Sequence, residues 1–198
     1  MSRLVDRGAV VAAYVGIGMA VTMAIGFLLV IPIQPIYLLL SFPGGMVIGY
    51  YANARAGRLR GAWRRIFPNS LLAGAVTGLS LAALLLGTRA LFFFADNGYP
   101  DFNRTDAHGT PIGATCQAGA DCVYQRYLKA DAGTLRDAGV TDAASFSNLY
   151  WAGQWASAEL LVASTTSAAL LGGFLFGIAG PRRDQLAPRS AAATATGT

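Results

Sequence analysis

Apolar positions in this chain gather into four long runs rather than into the short alternating stretches of a soluble domain. The runs cover residues 9–31, 33–52, 71–95 and about 159–179. Crossing a hydrocarbon core of about 30 Å takes roughly 20 mostly apolar residues in a helix, and each run reaches that length. The pattern predicts an all-α polytopic membrane protein, a bundle of four transmembrane helices with a small extracytoplasmic loop domain. The segments between the spans are an N-terminus of 1–8, a basic link of 53–70, a loop of 96–147 and a tail of 180–198. Residues 148–158 form the outer lead-in to the fourth span.

Punctuation within the runs refines this layout. Pro32 and Pro35 predict a tight turn between the first two spans, because each lacks an N–H and its ring clashes with the preceding turn. Pro43, Gly44 and Gly45 stand near the middle of the second run, where they predict a kink or break. In the link, Leu59, Trp63, Ile66 and Phe67 recur at helical spacing opposite the arginines. That spacing predicts a short helix lying on the membrane surface. Pro68-Asn69-Ser70 is then expected to end it and cap the third span. In the loop, the spacing of Val123, Tyr124, Tyr127 and Leu128 predicts one amphipathic helix, with a second short turn from Thr134. Phe92-Phe93-Phe94 and Tyr150, Trp151 and Trp155 suit an aromatic belt at the outer interface.

Composition agrees with the solvent that the pattern implies. Apolar residues make up 54% of the 198, and the mean hydropathy is +0.46, too high for an ordinary soluble domain. Charge adds direction. The net charge is +5, yet no nucleic-acid partner is needed to explain it, because basic residues are retained on the cytoplasmic side of membrane spans. Ten of the fifteen fall on one side of a four-span chain: Arg3, Arg7, Arg55, Arg58, Arg60, Arg64, Arg65, Arg182, Arg183 and Arg189. The 96–147 loop has seven Asp against four basic residues. Both termini are therefore expected in the cytoplasm, and the location is expected to be the plasma membrane. Arg55, Arg58, Arg60, Arg64 and Arg65 are expected to contact anionic lipid headgroups, at about 1 kcal/mol each.

Candidate chemistry is sparse. Arg89 and Glu159 are the lone ionisable residues of their span regions, and Glu159 is the only Glu in the chain. Counting along the helices puts both near the outer hydrocarbon edge, where a structural ion pair between the third and fourth spans is expected. A proton or substrate site, or separate snorkelling to the interface, are the alternatives. Gly74, Gly78 and Ala82 share a face with Arg89, and Ala163, Thr166, Gly173 and Gly177 share one with Glu159. Small residues permit close helix approach, so these faces are expected to meet. Cys116 and Cys122 are expected to form a disulfide in the outer loop. Asn103-Arg104-Thr105 matches a glycosylation acceptor. His108 has no companion at metal-ligand spacing, and no cofactor fingerprint is present.

No catalytic motif appears. The leading functional expectation is a non-enzymatic membrane protein that binds a partner, either another membrane protein or a second copy. The alternative is a small transporter or channel that uses the broken second span and the hydroxyls of Ser164-Thr165-Thr166-Ser167.

Overall fold

The structure, a computed structural model, describes residues 5–30, 34–95, 108, 110 and 119–182. Pro32, Cys116, the Asn103-Arg104-Thr105 triplet and the tail from 183 onward lie outside the described residues. All secondary structure among the described residues is helical. Helix α1 spans Arg7–Ala24 and continues as a π-helical segment, Ile25–Val30. Helices α2, Gln34–Arg55, and α3, Trp63–Phe94, follow. The shorter α4, Ala120–Asp137, and the long α5, Ala143–Ala179, complete the order. Among the described residues, four helices are long and apolar enough to cross a membrane: Arg7–Leu29, Pro35–Arg55, Trp63–Phe94 and Ala143–Ala179. Apolar surroundings offer backbone groups no water, so such segments must satisfy their hydrogen bonds internally, as helices do.

Several boundaries depart from the expected ones. The helix on the membrane surface is not a separate element: Trp63, Ile66 and Phe67 form the opening turns of α3. Pro68 lies within α3 and does not end a segment. It falls close enough to the helix start to remove only an early intrahelical bond. Across Pro43, Gly44 and Gly45, where a kink or break is expected, α2 keeps a continuous helical assignment from Gln34 to Arg55, with Pro43 inside it. Pro35 sits in the first turn of α2, where proline's missing N–H costs nothing. In α4 the expected two-part form is found. Asp131 leaves helical geometry at φ −158° and ψ 78°, and its carboxylate then accepts from the Thr134 N–H at 3.0 Å and the Thr134 hydroxyl at 2.6 Å.

Contacts divide the chain into two compact units. The first comprises Met1–Gly18, Phe42–Thr77 and Ser164–Thr198. Its packing is built on glycines of α2, α3 and α5. A Cβ on Gly45 would stand 2.5 Å from the Thr165 carbonyl oxygen, and one on Gly49 would overlap the Ala169 carbonyl. From α3, a Cβ on Gly74 would stand 2.5 Å from the Ala169 methyl. Ser70 fills the space over Gly173, and the Trp63 ring that over Gly177. Side chains at these positions would force the helices apart, so the glycines set the spacing. Rising positions on α3 meet falling positions on α5, which makes the two helices antiparallel. The contacts of Gly74, Thr166, Gly173 and Gly177 are those their shared faces predict.

The second unit comprises Met19–Ser41 and Gly78–Ala163. One core within it joins Met23, Leu28, Tyr37, Leu81, Leu85 and Leu161. The Tyr37 hydroxyl, fully buried there, donates to the Leu81 carbonyl at 2.9 Å. Another core joins Phe93, Val123, Leu135, Val140 and Phe146. Its rings pack edge to face or tilted: Phe93 stands 4.9 Å from Tyr150 and 5.4 Å from Trp151, and Tyr127 stands 5.0 Å from Phe146. Aromatics of the expected belt thus divide between two tasks. Phe93, Tyr150 and Trp151 hold α4 in place, while Phe94 and Trp155 stay exposed.

Candidate functional site

Two arrangements of side chains rise above helix packing, one in each unit. The first is a polar network among residues otherwise surrounded by apolar helix. It begins at Asp6, just before α1, whose backbone N–H donates to Asn69 Oδ1 at 3.0 Å. Asn69 Nδ2 donates back to the Asp6 carboxylate at 2.8 Å and to Asn53 Oδ1 at 3.3 Å. Asn53 Nδ2 donates to Ser70 Oγ at 2.8 Å and to the Gly49 carbonyl at 3.0 Å, and Ser70 Oγ donates to that same carbonyl at 3.1 Å. Asn53, Asn69 and Ser70 are fully buried.

Arg58 closes the network from outside. Its Nε donates to Asp6 Oδ2 at 2.7 Å, and its terminal nitrogen pairs with Asp6 Oδ1. This two-point contact, with Asn69 adding to it, holds the Asp6 carboxyl below its ordinary pKa and the Arg58 guanidinium above its own. Arg58, expected to contact headgroups, is half-buried and pairs with Asp6. Arg55, Arg60 and Arg64 are exposed, and Arg65 is half-buried. Arg64 and Arg65, with Gly61, Ala62 and Trp63, line a shallow pocket of about 440 Å³ at the start of α3.

The second arrangement is a groove of about 460 Å³ between α3 and α5 in the second unit. Leu79, Ala82, Ala83 and Leu86 form its α3 wall; Trp155, Ala158, Glu159, Val162 and Ala163 form its α5 wall. Both sets follow the three- and four-residue spacing of one helix face. The lining is apolar apart from Glu159, which is exposed. Trp155, one turn away on the same face, is 57% exposed. Small alanines make the floor, and larger side chains make the rims.

The groove also decides the fate of the expected ion pair. Glu159 stands opposite Ala82 and Ala83, while Arg89 lies six residues farther along α3 from Ala83, about 9 Å along the axis. Glu159 has no hydrogen-bond or ion-pair partner among the described residues, and half-buried Arg89 has interactions elsewhere. Arg89 and Glu159 share neighbouring helices without pairing.

Other expected sites are placed as follows. Cys122 is buried in the first turn of α4; its expected partner Cys116 lies outside the described residues. Pro43 is exposed, Gly44 half-buried and Gly45 buried against α5. The Oγ1 atoms of Thr165 and Thr166 are buried and have no hydrogen-bond partner in the structure. Among the described residues, no three His, Cys, Asp or Glu side chains gather as a metal site would require. Sequence reasoning missed the polar network entirely. Its one visible signal was Asp6, an acid standing alone among the arginines of the N-terminus.

No family model, no curated protein and no solved structure matches this chain.

Proposed function

We propose that this chain is a non-enzymatic integral membrane protein that binds a partner laterally, within the bilayer. The α3–α5 groove carries the reading. Apolar side chains on a membrane helix need no cover from lipid, but an exposed carboxylate among them is costly and marks a functional surface by default. Glu159 occupies that position. The scarcity of convergent polar groups around it argues for binding rather than chemistry. The transporter alternative draws little support, because α2 stays helical through Pro43 and its Gly45 lies against the α5 backbone.

The proposal includes an orientation. The termini and the link of 56–62 lie in the cytoplasm, with Arg55, Arg60 and Arg64 near anionic headgroups, and the segment containing α4 lies outside. Plasma membrane location and a Cys116–Cys122 disulfide belong to the same reading.

Photo-crosslinking in intact cells tests the docking surface. A photoreactive residue replacing Ala83, in the groove, should join the chain to a discrete membrane protein. The same residue at Leu171, exposed on α5 outside the groove lining, should not. Equal labelling from both positions, or capture of lipid alone from Ala83, would overturn the assignment.

A further inference from the structure

From the chemistry of the groove we infer that its occupant is a membrane-spanning helix of another protein carrying one lysine or arginine opposite Glu159. The inference rests on the docking function proposed above and specifies the partner.

Three observations combine. Charge comes first: Glu159 is the only polar side chain on the groove walls, and it has no partner among the described residues. A cation beside it would cancel a charge that is expensive to hold at the margin of hydrocarbon. The second is Trp155, one turn toward the start of α5 and largely exposed. An indole face one turn from a carboxylate gives the same cation a second attraction. Trp155 and Glu159 thus define a spot for positive charge, not merely an acid on a helix.

Shape selects a helix. Ala82 and Ala83 on α3, with Ala158 and Ala163 on α5, contribute small methyl groups to the groove lining over about one and a half helical turns. A third helix backbone can settle on such a lining, whereas a lipid chain gains nothing from small residues. Depth agrees with this. Taking Ala179 as the inner end of the span, Glu159 lies twenty residues before it, about 30 Å along the axis and at the hydrocarbon margin. A phospholipid ammonium belongs to the headgroup layer beyond that margin, while a lysine on a helix can be placed level with Glu159. A second copy of this chain is a poorer fit. The cation its own α3 could supply, Arg89, is half-buried and already has interactions.

The test uses the full chain in phosphatidylcholine vesicles with three synthetic Leu/Ala transmembrane peptides. They differ at one position, level with Glu159, occupied by Lys, Gln or Glu. Each carries a fluorescence acceptor, and energy transfer from the protein's tryptophans reports association. The Lys peptide should bind at least ten-fold more tightly than the Gln peptide. Glu159→Gln should abolish that preference, Glu159→Asp should retain it, and Glu159→Lys should shift it to the Glu peptide. Glu159 is exposed, so these variants keep the fold. Equal binding of the Lys and Gln peptides, indifferent to Glu159→Gln, would overturn the charge inference and leave lateral docking standing. Binding of none of them, together with no protein captured from Ala83, would overturn both. Self-association of the full chain that is lost in Glu159→Gln would overturn the foreign helix in favour of a second copy.

Discussion

At the scale of single residues, the buried amides are the most constrained groups in the first unit. Asn69 serves the backbone and carboxylate of Asp6 and the side chain of Asn53 at once. Removing it strands several buried polar atoms, at about 1–3 kcal/mol. Asn69→Leu should therefore lower the melting temperature in mild detergent clearly, while Arg60→Gln, at an exposed position, should leave it unchanged. Asp6 adds a pH dependence. Its folded-state pKa is depressed by Arg58 and Asn69, so the stabilisation is complete above the ordinary carboxyl value near 3.8. It is lost as pH falls through the depressed value. Thermal melts between pH 6 and pH 2.5 should show a smaller acid-side loss for Asp6→Asn than for the parent. An equal loss in both would remove Asp6 from the account. None of this was legible in sequence. The network joins positions 6, 53 and 69, and only folded helices bring them together.

At the scale of elements, glycine positions that look alike in sequence separate sharply. A Cβ on Gly49 overlaps the α5 backbone, whereas one on Gly18 meets nothing within 4 Å. Gly49→Ala should destabilise by about 1–3 kcal/mol, as overpacking does, and Gly18→Ala should be neutral or slightly stabilising. Detergent melting curves of the two variants compare them directly. The apolar runs themselves were readable, because length and hydropathy alone require a helix in lipid. Their ends were not. Residues 63–67 have the spacing of a surface helix, and Pro68 looks like punctuation, yet α3 absorbs both. Pro43 likewise lies inside a helix and does not end one. The two-part α4 could be read because Asp131 and Thr134 carry a local cap that needs no distant partner.

At the scale of the whole molecule, charge asymmetry makes a prediction that packing does not. With ten arginines assigned to one side, Asp137→Cys should react with an impermeant maleimide on intact cells, above the background of the parent chain. Arg60→Cys should react only after permeabilisation. Both positions are exposed in the structure, so access depends on the side and not on burial. The reverse pattern would invert the proposed orientation. The candidate groove had only a faint trace in sequence. Glu159 was conspicuous as the chain's sole Glu, but the alanines around it come from two helices separated by the whole of α4.

The place of α5 in the chain has a consequence for biogenesis. Its Thr165, Ala169, Gly172, Gly173 and Gly177 provide surfaces on which α2 and α3 close, and it is synthesised after both of them. Until α5 is made, Gly45, Gly49 and Gly74 lack the backbone and methyl groups they pack against. A stop codon between the end of α3 and the start of α5 would leave three apolar helices without the surface on which α2 and α3 close.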